Sequence, residues 1–416
     1  MKRAILLPVL FLAFSGFLAT AQDEIFDLTP AQKVENEQIE KRIAEIRMGD
    51  LIVKTKPGAE VKIEQVRHEF LWGTAIPDEL AETAENAFSE EDRKKYLEIL
   101  EDNFNYAVHE NALKWYSNEE VQGEVDYSIS DRIWELCDER NIPMRGHCIY
   151  WAKDEFMNDW LVPLNNPDLR KAVVNRGTSV VSHYKGRINE FDLNNEMLHG
   201  DFFRRKLGFG VINEMAWIAK AANPDVKLYL NDYGIVDMGY NAGPYIKQIK
   251  NLLDNGVPID GIGCQGHLSM RTDDTTPAAK VQRNLDRLAE FDLPIKITEV
   301  LFAYRDEMVQ VDELNKLLPI YFAHPNVESV LMWGFWAGSH WQPHCAMWKE
   351  DWTPRPQVEA YRKLIFEKWW TTVEDKADNK GQVSTRAFYG TYKITSRGKT
   401  KTVVLSKEAG SQRVEF

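Results

Sequence analysis

Cysteine is scarce, with four in 416 residues: Cys137, Cys148, Cys264 and Cys345. So few in so long a chain exclude a disulfide-scaffolded fold; Cys148 and Cys264 sit on core-strand runs, which suits free buried thiols, while a secreted location would permit a bridge that the sequence does not fix. Positive charge is short as well, 51 Lys and Arg against 64 Asp and Glu, for a net charge of −13. That balance argues against nucleic acid and anionic membrane as partners, since both need basic patches. No Gly-rich phosphate fingerprint follows any candidate strand, which counts against a nucleotide-binding open sheet. Long apolar runs are missing too, except at the start. There Lys2 and Arg3 precede an apolar run over residues 5–18, and Ala19-Thr20-Ala21 precedes Gln22. This pattern predicts a secretory signal peptide over residues 1–21, hence a secreted or periplasmic protein whose mature chain is more acidic still and has no membrane association.

What is present is a period. Apolar strand-like runs occur at residues 70–76, 104–108, 143–150, 188–193, 226–230, 261–265, 294–298 and 329–335. Helix-sized intervals separate them, with amphipathic sets such as Tyr96, Leu97, Ile99, Leu100 and Ile246, Ile249, Leu252, Leu253. Eight alternating units predict an α/β protein, a closed (β/α)8 TIM barrel over residues 69–368, with a doubly wound open sheet as the alternative. Residues 22–68 predict a helix starting at Thr29-Pro30 and a β-hairpin, its strands at 51–55 and 61–66 around Pro57-Gly58. Residues 369–416 predict a second hairpin, 387–394 and 400–406, around Arg397-Gly398. We expect the two hairpins to form one small β module from both chain ends, with a packing or capping role; sugar binding is the alternative.

Active sites of such barrels gather at the C-terminal ends of the strands. Those ends carry His109-Glu110-Asn111 with Lys114-Trp115, then His147 and Trp151, then Asn195-Glu196, then Asn231-Asp232-Tyr233. Gln265 and His267, Glu299, and finally Trp333 and Trp336 with Trp341 beyond complete the circuit. A single His or Asn at a strand end is an ordinary structural hydrogen-bonder. So many polar ends are harder to assign to packing, because burying them costs free energy unless they bond to something. Two glutamates at two strand ends, Glu196 and Glu299, are what glycosidic-bond cleavage needs: one proton donor and one nucleophile or base. The 13 Trp are mostly core by default, yet they also suit a protein that stacks sugar faces on indoles.

The motifs Glu110-Asn111-Ala112-Leu113-Lys114-Trp115, Arg145-Gly146-His147, Asn195-Glu196, Leu230-Asn231-Asp232-Tyr233, Gln265-Gly266-His267, Ile297-Thr298-Glu299 and Trp333-Gly334 resemble, in order and spacing, those of glycoside hydrolase family 10. The resemblance spans about residues 69–368 and implies a retaining endo-β-1,4-xylanase without cofactor or metal, acting on polysaccharide. It implies Glu196 as general acid/base and Glu299 as nucleophile, about 5–5.5 Å apart. It places Asn195 on the sugar 2-hydroxyl and His267 behind Glu299, with His147 and Gln265 around the same sugar. Glu110, Asn111 and Lys114 would hold the next sugar, Trp333 and Trp341 would stack, and Trp151 and Tyr233 complete the substrate-binding set.

The chain also departs from the family. Ala152 stands where a second His usually follows the tryptophan, and Asp154 where Gln is common. Val300-Leu301 replaces the usual Leu-Asp, and the loop Ala337-Gly338-Ser339-His340-Trp341 is poorer in acids. These changes spare both glutamates and touch the neighbouring sugar pocket, so another β-glycan or a decorated xylan is the alternative substrate. Two other classes are weighed: a metal-dependent hydrolase using His147, His199, His267 and Asp232, which lacks the first-strand His pair, and a non-catalytic glycan-binding protein, which would not need both acids.

Overall fold

The computed structural model describes residues 30–237, 239–268 and 274–416; the expected signal peptide lies outside them. Eight parallel strands form the central sheet. In chain order they are Leu71–Ile76, Tyr106–His109, a split third strand made of Met144–Arg145 and Tyr150–Trp151, Glu190–Asn195, Lys227–Asp232, Gly261–Cys264, Ile295–Phe302 and Val327–Met332. The eighth strand pairs with the first, Ser329 opposite Leu71. The third strand closes the ring from both sides. Its first half pairs with the second strand, its second half with the fourth, and Gly146 bridges to Phe191 between them. The result is a closed (β/α)8 barrel.

The intervals between strands are helical for local reasons. Ser89 accepts from Asp92 N to cap Glu90–Asn103, and Asn165 accepts from Asp168 N to cap Asn166–His183. Each helix turns apolar residues inward, Tyr96, Ile99 and Leu100 in the first case. Two clusters of buried apolar side chains line the barrel wall and its helices. All four cysteines are buried and free. No described helix is long and apolar enough to cross a membrane.

The helix Pro30–Arg47 leads into Met48–Lys54 and Glu60–His68. These two strands do not pair with each other, so the expected N-terminal hairpin is corrected. Met48–Lys54 runs antiparallel to Gln382–Phe388 and parallel to Ser411–Glu415. Glu60–His68 pairs with Thr372–Lys376 and with Gly390–Ser396. The physical reason is that each strand buries one face against C-terminal strands, with Leu51, Val53, Val61 and Ile63 meeting Val383, Tyr392, Ile394 and Leu405 in one small core. Pro57-Gly58 therefore joins two sheets rather than two paired strands. The C-terminal strands Gly390–Ser396 and Lys399–Leu405 do form a hairpin.

This two-sheet unit meets the barrel at the N-terminal ends of its strands. Arg47 donates to the carbonyls of Phe322, His324 and Val327 at 2.7, 2.8 and 2.7 Å. Lys407 Nζ reaches Pro325 O at 3.3 Å. The chemistry-bearing strand ends lie at the opposite rim.

Candidate active site

The fourth strand ends at Asn195, and the chain then turns sharply. Glu196 has φ 56°, the left-handed region that few side-chain-bearing residues enter. Its N–H donates to Asn231 O at 2.8 Å, and its carbonyl accepts from His199 and Gly200 N, both at 2.9 Å. This turn aims the carboxylate into the barrel mouth. Oε1 accepts from Gln265 Nε2 at 2.9 Å. Oε2 accepts from Trp151 Nε1 at 3.3 Å and faces Lys153 Nζ at 3.2 Å. Burial works against the Lys153 charge, but the Glu196 carboxylate outweighs it and holds that ammonium above the ordinary lysine range.

Glu299 is delivered differently. The seventh strand does not stop there, as its sequence suggests, but runs on to Phe302. Its pairing with the eighth strand shifts register between Ile297 and Val300, and such an irregularity re-aims a side chain without ending the strand. The backbone is pinned by Glu299 N donating to Gln265 O at 2.7 Å. Oε2 lies 3.0 Å from His267 Nε2, and Oε1 accepts from Asn231 Nδ2 at 2.7 Å. Burial alone would raise this carboxyl. The His267 hydrogen bond and the charges of His147, His267 and Lys114 more than reverse that, leaving it at about 2.

Asn231 is the hub beneath both acids. Its amide nitrogen also reaches Asn195 Oδ1 at 3.0 Å, and its oxygen accepts from Thr298 Oγ1 at 2.6 Å. Below it, His147 Nδ1 meets Asp192 Oδ2 at 2.7 Å. Asp192 in turn pairs with Arg145, whose Nε lies 3.3 Å from Glu190, and Glu190 pairs with Lys296 at 2.9 Å. The barrel interior thus holds alternating charges that fix the floor of the site. Asp232 lies beside it, wholly buried. Burial and the Glu196 and Glu299 charges push it up to about 7, against the pull of its bonds from Leu198 and Tyr233 N.

One cavity of about 660 Å³ is lined by all thirteen residues expected from sequence. Glu196 and Glu299 stand in its wall, each less than a tenth exposed. Glu110, Asn111 and Lys114 lie together, with Lys114 Nζ 2.9 Å from Asn111 Oδ1 and 4.7 Å from the Trp151 ring centroid. Burial pushes Glu110 up to about 7, with Lys114 opposing. His147 sits edge-on to Trp333 at 5.2 Å, and Tyr233 stacks on His199 at 3.9 Å. Trp341 stands at the mouth, 48% exposed, with its ring 5.8 Å from that of His267.

Six further residues line the same cavity: Tyr116, Lys153, Phe156, Gly234, Asp237 and Tyr240. Sequence reading passed over them. Phe156 stacks on Trp151 at 3.9 Å and 13°, which places an aromatic wall where the family difference had pointed to Asp154. Asp154 itself pairs with Arg205 at 2.5 Å and does not line the cavity. The signal that could have found Lys153 and Phe156 is their place just past Trp151, in the loop that must pass over the acid. Among the described residues no group of three or more His, Cys, Asp or Glu could hold a metal ion.

Comparison with known proteins places this geometry. The family model described as "Glycosyl hydrolase family 10" matches residues 66–364. The chain is 33% identical over 385 residues to "Anti-sigma-I factor RsgI6" of Acetivibrio thermocellus, covering 91% of this chain and 48% of that protein. It is 32% identical over 414 residues to "Endo-1,4-beta-xylanase 1" of Arabidopsis thaliana, covering 95% and 42%. The chain thus spans less than half the length of both relatives. Among solved structures it resembles xylanase 10B from Thermotoga petrophila in complex with xylobiose, with a TM-score of 0.64, 25% identity, and coverage of 72% of this chain and 95% of that one.

Proposed function

The chain belongs to glycosyl hydrolase family 10, and on that premise we propose that it cleaves internal β-1,4 linkages of xylan with retention of configuration. The observation that carries this reading is the unlike handling of two carboxylates in one cavity. Against burial, the His267 hydrogen bond and the charges of His147, His267 and Lys114 hold Glu299 ionised, as a nucleophile must be. Glu196 is placed by the turn at the end of the fourth strand to meet the leaving oxygen.

In the first step Glu299 attacks the anomeric carbon while Glu196 gives its proton to the departing glycosidic oxygen. Glu299 is then an uncharged ester. In the second step Glu196 takes a proton from water, water attacks the same carbon, and Glu299 leaves as carboxylate. Asn195, held by Asn231, offers its amide to the 2-hydroxyl, a contact that strengthens in the transition state. Glu110, Asn111 and Lys114 bind the next sugar, and Trp333 and Trp341 give it apolar faces. Xylose lacks an exocyclic hydroxymethyl group, so a tightly walled cleft admits xylan and crowds glucan.

A second reading, another β-glycan or a decorated xylan, rests on the departures from the family pattern just past Trp151, in the loop whose Lys153 and Phe156 line the cavity. Incubation with a panel of xylans and β-glucans separates the two. Xylo-oligosaccharides from plain xylan support the first, and release from glucan alone overturns it. We further propose that the protein works outside the cytoplasm, from the leader pattern of residues 1–21; an uncleaved, retained chain in a fractionation experiment would contradict this.

A further inference from the structure

Lys153 makes a contact that the roles above do not require. Its ammonium lies 3.2 Å from Glu196 Oε2 and 3.4 Å from Glu155 Oε1. It also faces the Trp151 and Phe156 rings, 5.9 and 5.7 Å from their centroids. The side chain is 21% exposed, so water screens the pair only in part. Gln265, Trp151 and Lys153 all present donors to Glu196, so both of its carboxylate oxygens are held in place. Ala152 stands where the family usually has histidine, so the next residue supplies a permanent cation in this chain.

We propose that Lys153 is a positioning residue that holds Glu196 for its second-step role as base. This rests on the retaining reading above. In the first step the Glu196 proton passes to the glycosidic oxygen as the bond from that oxygen to carbon breaks and the Glu299 ester forms. The new Glu196 carboxylate appears beside Lys153, which stays an ammonium throughout. In the second step Glu196 removes a water proton as the water oxygen bonds to carbon and the ester breaks.

The other groups acting on Glu196 are of mixed sign. Asp232 and Tyr233 face it from the fifth strand end, and Cys148 from the link between the two halves of the third strand. Glu299 and His267 share the cavity with it, His267 bonded to Glu299. Glu155 shares the Lys153 ammonium, and Lys114 is bonded to Asn111. Removing Lys153 therefore takes away the cation paired with Glu196 Oε2 and leaves the Gln265 and Trp151 donors in place.

The test is kcat and kcat/KM for wild type, Lys153→Met and Lys153→Arg, on a linear xylo-oligosaccharide and on dinitrophenyl xylobioside. The aryl leaving group needs no proton, so there kcat reports the second step and kcat/KM the first. On the aryl glycoside Lys153→Met should lower kcat about tenfold and leave kcat/KM near wild type, while Lys153→Arg keeps both near wild type. An unchanged kcat in Lys153→Met, or an equal fall in kcat and kcat/KM, overturns the inference. Wild type that cleaves neither substrate removes the retaining reading itself, and this inference with it.

Discussion

Glu299 and Glu196 divide one reaction between them, and single substitutions should separate their roles. Glu299→Ala should bring turnover of every substrate below detection. Glu196→Ala should lose roughly 10²–10⁴ in rate on xylan yet still form the ester from aryl glycosides with good leaving groups, with azide restoring turnover. Equal loss on both substrates would merge the two roles. His267→Ala removes a bond that lowers Glu299 and should move the acid limb of kcat/KM upward. Stability carries the opposite signature at Asp232. Its folded value of about 7 lies above its unfolded one, so folding is favoured at low pH and loses that favour as pH rises from about 4 to 7. Asp232→Asn should flatten the fall in Tm over that window, and an unchanged slope would contradict the assignment. Glu299 acts the other way, stabilising above about 4.5 and losing this as pH falls toward 2. Periodicity placed the thirteen cavity residues at or just past strand ends, and the resemblance to the family singled them out from neighbours such as His109, Trp115 and Trp336. Asn231 was visible only as a strand-end polar residue, since its bonds to Asn195, Thr298 and Glu299 join three strands far apart in sequence.

At the scale of elements, the third strand is the seam of the barrel. A Cβ added at Gly146 would lie 2.0 Å from the Phe191 ring, so Gly146→Ala should cost about 1–3 kcal/mol by overpacking, read as a lower Tm. Phe191 belongs to the strand that ends in Asn195, so activity should fall alongside stability. The apolar run at 143–150 gave this strand its place, but not its division into Met144–Arg145 and Tyr150–Trp151, which depends on which neighbour each half meets. The seventh strand was read as ending in its glutamate for a similar reason. A register shift leaves no mark on apolar alternation when every residue from Ile295 to Phe302 is buried. The N-terminal strands misled in a third way, because a turn signal specifies a bend and not the partner beyond it. Arg47 tests how the helix end is tied to the barrel. Arg47→Met leaves three carbonyls without a charged donor and should cost about 2–4 kcal/mol, measured by denaturant unfolding.

Across the whole molecule, both chain ends contribute strands to one small core at the rim opposite the site. We propose that this unit caps the barrel and does not bind sugar. Ending the chain after Trp370 strips the partners from Leu51, Val53, Val61 and Ile63 and should lower Tm by roughly ten degrees or more. Xylan-binding by the unit with the barrel cavity blocked would contradict the capping role. The central claim concerns the two acids across one sugar, and product stereochemistry tests it most directly. Proton NMR of the first products from a linear xylo-oligosaccharide should show the β-anomer appearing before mutarotation; first release of the α-anomer would contradict the double displacement.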